Sequence, residues 1–241
     1  MPRAVLASLP ELRSNVFTER ASQYLTLAHQ SAGRALAAMH ELRDARRQAS
    51  GRSPSGRTSD QDQDLLRAML VFSCAGLDAA MKALIEDSLP TLADRHDQVQ
   101  RRLEEFGSRR VAEGGSLDAR VIGRLLAHPV SPRAALVQDF VDDLTGGSLQ
   151  SVEQLHRVRS ALGIDDSSAV AVAINDLRQT FKARNEVSHE MDLTPLIEHR
   201  SRRHRGIRAM VDMANSVLAV GCQIVNQVAE TTEQVQTRAG S

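Results

Sequence analysis

The chain has no tryptophan and a single tyrosine, Tyr24, and aromatic residues make up 2% of its 241 positions. So few ring faces exclude the stacking platforms on which single-strand nucleic-acid binders lay successive bases. Cysteine is almost as scarce. Cys74 and Cys222 both lie inside apolar helical patterns and read as reduced core residues, because no Cys/His spacing of a metal cluster accompanies them. Neither sign of charge is in excess: Lys+Arg and Asp+Glu each number 30, and the pI is about 7.1. A global polyanion-attracting field is thereby excluded, and any nucleic-acid contact has to come from a local basic patch. Lysine is nearly absent, occurring only as Lys82 and Lys182, so arginine carries the positive charge. No run of 18 apolar residues occurs and Met1 to Leu12 lacks an apolar leader, which reads as a soluble, cytoplasmic protein that meets no membrane.

Alternation at period two is missing as well, whereas apolar residues recur throughout at the 3.6-residue helical period, so the expected fold is all-α. A first helix is expected from Pro10 to Ala49, on Phe17, Ala21, Tyr24, Ala28, Ala35, Met39 and Leu42, with Ser8 as its cap and Pro10 and Glu11 in its first turn. Ser50 to Ser59 reads as a mobile linker. A second helix follows from Asp60 to Asp87 on the stripe Leu66, Leu70, Ser73, Leu77, Met81 and Leu84, ended by Pro90. Residues 91–163, with two Gly-Gly pairs and prolines at 129 and 132, read as an inserted subdomain of three or four short helices. A third long helix is expected from Asp165 or Asp166, and a fourth from Pro195 to Glu233 on Ile207, Met210, Ala214, Val217, Gly221, Ile224 and Val228. The sum is one domain over 1–241: a core bundle of four long helices from 10–90 and 164–233, with a helical insert between the second and third.

The third helix carries the most telling segment, Arg184-Asn185-Glu186-Val187-Ser188-His189. Its apolar stripe runs Val170, Ile174, Leu177, Phe181, and the next two positions of that pattern are Arg184 and Ser188. An arginine on a core seam is expensive to bury unless it is paired or the seam opens into a cleft there. His189, five residues on, lies about 140° around the helix from Arg184, so both can border one cleft. A permanently charged guanidinium beside a side chain that exchanges protons near neutral pH suits chemistry on a phosphodiester. Asn185 and Ser188 add neutral hydrogen-bonding groups. Against this, Arg and His both complement the dipole in a helix's last turn, and so common an arginine yields Arg-x4-His about once by chance. Arg34 and His40 match a looser spacing of five.

The segment resembles the signature of the HEPN superfamily, an arginine and a histidine four to six residues apart with a polar residue, often Asn, directly after the arginine. Arg184 has that Asn, whereas Arg34 is followed by Ala35. The position near the end of the penultimate long helix is similar too, and residues 72–85 (FSCAGLDAAMKALI) resemble the second bundle helix of these proteins, where an acidic residue often stands in the place of Asp78. The similarity extends over residues 62–90 and 165–230 and looks closest to the bacterial stand-alone, RiboL-PSP-like branch.

The resemblance implies a metal-independent endoribonuclease without a cofactor, acting as a toxin or in phage defence. RNA supplies its own nucleophile, the 2′-hydroxyl, which attacks the adjacent phosphorus to leave a 2′,3′-cyclic phosphate and a 5′-hydroxyl. His189 would move the proton, Arg184 would carry charge to the non-bridging oxygens, Asn185 would hold the arginine or a phosphate oxygen, and Ser188 and Asp78 would support them. One histidine cannot be base and acid at once, so a homodimer with a composite site is expected; nothing around His156 recommends it as the second group. Arg200, Arg202, Arg203, Arg205 and Arg208 would track the RNA backbone, or else form a solvated first helical turn balanced by Asp192 and Glu198. The Asp62/Asp64 and Asp142/Asp143 pairs read as helix-surface charge and not as metal ligands. Some HEPN toxins carry a tyrosine two residues after the histidine as a target for a partner antitoxin; Met191 stands there, which speaks against that route while leaving an antitoxin or defence partner open. The alternative is a non-catalytic helical module that binds a protein partner or a nucleotide.

Overall fold

The structure, a computed structural model, describes residues 3–50, 58–113, 131–194 and 201–239, together with Gly123 and Ala127. Among these residues all regular structure is helical, apart from one isolated antiparallel bridge between Leu193 and Arg202. The helices are α1 (Glu19–Ser50), α2 (Asp60–Arg95), α3 (Asp97–Glu113), α4 (Pro132–Thr145), α5 (Val152–Ala161), α6 (Ala169–Asp176), α7 (Arg178–Glu190) and α8 (Ile207–Ala239). The chain is an all-α bundle.

The centre of the bundle is α2, which packs on α1 and α8 and also meets α3, α4, α5 and α7. Its Leu66, Leu70, Leu77, Met81 and Leu84 are fully buried, as the sequence stripe requires. Ser59 caps it through a capping box with Asp62. α1 and α2 run antiparallel, with Arg20 paired to Glu86 and Asp87 at one end and Arg46 to Asp62 at the other. Close approach between them is made at Gly76, where an added Cβ would overlap the Ala28 side chain. α8 closes the bundle at Gly221, where a Cβ would lie 2.7 Å from Leu25 and 3.1 Å from Leu77.

Several boundaries differ from the sequence expectation. The first helix begins at Glu19 and not at Pro10, because Asn15 and Thr18 organise a turn: the Asn15 carbonyl accepts from the Thr18 and Glu19 amides at 3.0 Å, and its side chain accepts from the Phe17 amide at 3.0 Å. Residues upstream form an extended arm instead. Its carbonyls at Ala4 and Ala7 meet His40 and His29 on α1, each at 2.8 Å, and its amides at Ala7 and Arg13 donate to Asn215 and Asn226 on α8. The second helix runs through Pro90 to Arg95, since the buried Leu89, Leu92 and Ala93 continue the core face beyond the one backbone bond that proline forfeits.

The third helix is divided in two at Leu177, and Ser168 rather than Asp165 or Asp166 caps it. The fourth starts at Ile207 and not at Pro195, because residues 201–203 lie outside any helix and are bonded back to Asp192, Leu193 and Thr194. Of the 50–59 linker, residues 51–57 lie outside the described residues, as do Pro195, Glu198 and Arg200. Within 91–163, residues 91–95 complete α2 and the described residues beyond them include α3, α4 and α5, whose Leu103, Phe106, Phe140 and Leu155 belong to the same hydrophobic cluster as the bundle. By length and composition α2 and α8 are apolar enough to cross a membrane, although neither is an unbroken apolar run; 56% of each apolar window is buried inside the bundle.

Candidate active site

Helix α7 sets the site. Phe181 and Ala183 hold it on the core, at 4% and 3% exposure, and Arg184 follows on the seam with its head reaching the helix end. Arg184 Nη1 donates to Asn185 Oδ1 at 3.0 Å and lies 3.5 Å from His189 Nε2. At the latter distance the bond is weak, and it requires the histidine nitrogen to be unprotonated. Asn185, Ser188 and His189 are exposed. Among the described residues Arg184 has no carboxylate partner, and its Nε is buried without a hydrogen bond. The neighbouring arginines Arg67 and Arg205 are paired, Arg67 with Asp192 and Arg205 with both Asp192 and Glu186. Among the described residues the Arg184 guanidinium is left to Asn185 and His189.

Beneath Arg184 lies Cys74 of α2. Burial pushes its thiol up to about 12, with the nearby Arg184 charge opposing the shift. Beside the pair, a groove of about 310 Å³ is lined by Phe181, Lys182, Asn185 and Glu190 of α7 and by Gln150 and Ser151 before α5.

The end of α7 is held by a network that the sequence pattern does not reveal. Met191 and Asp192 are both left-handed, at φ 52° and 57°, directly after the motif. Such a conformation costs a non-glycine residue about 1–2 kcal/mol and needs compensation. The Asp192 amide donates to the Glu186 carbonyl at 2.8 Å, closing the helix, while the fully buried Asp192 carboxylate accepts from Arg67 Nε at 2.9 Å and Arg205 Nη2 at 2.6 Å. Arg205 also donates to Glu186 at 2.8 Å, bridging the motif helix to the residue that ends it. Burial works against the Arg205 charge, but its hydrogen bonds to Asp192 and Glu186 outweigh it and hold the guanidinium above its ordinary pKa. Arg67 completes the tie by donating to the Arg203 carbonyl at 2.9 Å. The only sequence signal was Asp192 as a charge balance for downstream arginines.

The remaining predicted residues are distributed as follows. Asp78 accepts from the Leu149 amide at 2.6 Å and pairs with Lys82 at 2.9 Å, so it anchors the chain ahead of α5 and does not join Arg184. Arg202 pairs with Asp64, Arg203 lies 3.4 Å from Glu186, and Arg205 belongs to the buried network; all three precede α8, so they do not form a solvated first helical turn. Arg208 is exposed on the first turn of α8. Asp62 is buried and paired with Arg46 at 2.6 Å, and Asp143 pairs with Arg157, so neither is mere surface charge. The competing Arg34 and His40 are apart: Arg34 donates to its own helix at Gln30, and His40 serves the arm at Ala4. His156 is held by Asn175 at 3.0 Å. The chain matches no family model, no curated protein and no solved structure.

Proposed function

We propose that this chain is an endoribonuclease of the HEPN type, with Arg184 and His189 as its reacting pair. The observation that carries the reading is the 3.5 Å approach of Arg184 Nη1 to His189 Nε2 on an exposed helix end, with no carboxylate on the arginine among the described residues. Asn185 orients the guanidinium from the same helix. In the reaction, His189 takes or returns the proton of the 2′-hydroxyl and the leaving 5′-oxygen, and Arg184 stabilises the charge that grows on the phosphorane oxygens. The attacking group belongs to the RNA, so the reaction needs no metal-bound water, and DNA is not a substrate. A second copy of the chain, brought up against the exposed side of α7, would provide the second proton-transferring histidine. The protein would then be a cytoplasmic toxin or defence nuclease under the control of a partner.

One observation favours the non-catalytic reading. The ion pairs of Arg202, Arg203 and Arg205 spend charge that an RNA-tracking patch would need. The test is cleavage of total RNA in EDTA by wild type, His189→Ala and Arg184→Ala. Wild type is expected to leave 2′,3′-cyclic phosphate ends, and each substitution to lower the rate by about 10²–10³ or more. No cleavage by wild type, or equal cleavage by the variants, leaves the non-catalytic module standing. Products that carry no 3′-side phosphate would reject the transesterification while leaving a nuclease.

A further inference from the structure

The insert helices enclose a second cluster that the Arg184–His189 pair does not use. α3, α4 and α5 pack around Phe106 and Phe140, whose ring centroids are 4.8 Å apart and whose side chains are buried. Beside the rings is a cavity of about 190 Å³, with Phe106, Phe140 and Leu144 as an apolar floor and Arg102, Arg109 and Arg157 around it. The guanidinium carbons of Arg109 and Arg110 lie 5.8 and 5.2 Å from the Phe106 centroid. Four arginines therefore converge on one aromatic pair.

One local carboxylate serves two of them. Asp143 is shared between Arg157 and Arg110, the latter at 3.4 Å, and Glu105 takes Arg102 at 2.8 Å. Asp139 lies one turn earlier on α4 and, like Arg109, has a partner of its own. Asp143 thus serves two guanidiniums, and the cavity wall gathers Arg102, Arg109 and Arg157 around one lining carboxylate, Glu105. Burial, and then repulsion from Arg109 and Arg110, holds Arg157 below the ordinary arginine pKa despite its contact with Asp143. Self-repulsion of this kind weakens a fold unless an anion joins the cluster.

A phosphate monoester answers the chemistry of the cluster: it brings up to two negative charges and three acceptor oxygens, which match guanidinium forks. The apolar floor calls for a flat organic body attached to it. We propose that the cavity between α3, α4 and α5 binds a phosphate monoester on a flat body, the chemistry shared by a nucleoside monophosphate and a 5′-phosphorylated RNA end. α5 joins this site to the motif, since Arg157 and Ser160 line the cavity while Ser151 and Val152 line the groove beside Asn185.

The test is calorimetric titration of the full chain carrying Arg184→Ala and His189→Ala, so that the motif contributes nothing to anion binding. At fixed ionic strength 5′-AMP is expected to bind saturably and at least about tenfold more tightly than adenosine, because the arginine forks hold only the phosphate. Arg157→Gln and Arg102→Gln should each weaken 5′-AMP about tenfold, and Arg157→Lys should recover only part, since an ammonium keeps the charge but lacks the fork. Arg102, half-exposed on the rim, serves if Arg157→Gln does not fold. Binding of 5′-AMP assigns a free nucleotide. Binding only of a 5′-phosphorylated oligoribonucleotide, and not of its 5′-hydroxyl twin, assigns an RNA end. The proposal is overturned if neither phosphate probe binds saturably, if phosphate gives no advantage over adenosine, or if both arginine variants bind like the parent.

Discussion

Arg205 donates to the Asp192 carboxylate from both Nε and Nη2, at 3.0 and 2.6 Å, although Asp192 is 0% exposed. The two residues flank the bridged segment after the motif helix, and Glu186 on that helix shares the same guanidinium. The position of His189 therefore depends on an ion pair formed outside the motif.

Asp192→Asn keeps the shape of the side chain but strands Arg67 and Arg205 without their common counterion. Breaking a buried pair in this way costs about 3–5 kcal/mol, which for a chain of this size lowers Tm on the order of 10 °C. Thermal unfolding measures it, and a drop of only a degree or two would show that the network contributes shape and not charge.

Met191→Gly should stabilise the protein. Met191 is 59% exposed at φ 52°, so glycine removes left-handed strain and loses little packing. A gain of about 1 kcal/mol, read in urea unfolding at unchanged slope, is expected. A loss instead would mean that the methionine side chain is engaged, as an interface would require.

Gly76→Ala should destabilise by about 1–3 kcal/mol, because its Cβ overlaps Ala28 where α1 and α2 cross. Ala28→Gly in the same chain should recover most of the loss. Additive losses in the double variant would place the strain elsewhere.

The cysteines should resist thiol reagents in the folded protein and react once it unfolds. Burial pushes Cys74 up to about 12 and Cys222 to about 11, from an ordinary value of 9.0. The linkage follows directly: below pH 9 both states keep the proton and no stability is lost. Above it the unfolded thiol ionises first, so stability falls as pH rises toward about 11 and 12. Replacing both by Ala should flatten that alkaline decline; an unchanged decline would assign it to other groups.

The helical class, the α2 stripe and the α8 stripe were legible because each depends on local periodicity, which the buried Leu66 to Leu84 and Met210 to Val228 preserve. The approach of Arg184 to His189 was legible for the same reason, since both stand on one helix and its pitch sets their separation. Pro90 misled because a proline's local cost is about 3 kcal/mol, less than the burial that Leu89 and Leu92 gain by staying helical. The arm before Glu19 misled because its amides and carbonyls are satisfied by Asn215, Asn226, His29 and His40, distant residues that no local pattern pairs with it.

The sequence alone determined an all-α chain and the candidate pair at Arg184 and His189, because hydrophobic period and helical pitch are short-range properties. Only the tertiary structure decided what surrounds that pair. Asp192 finds Arg67 from 125 positions away, Asp78 is diverted to the chain before α5, and the arginines of α3 and α5 meet over Phe106. Charge pairing acts through space, and which charges become neighbours is settled only when the helices pack.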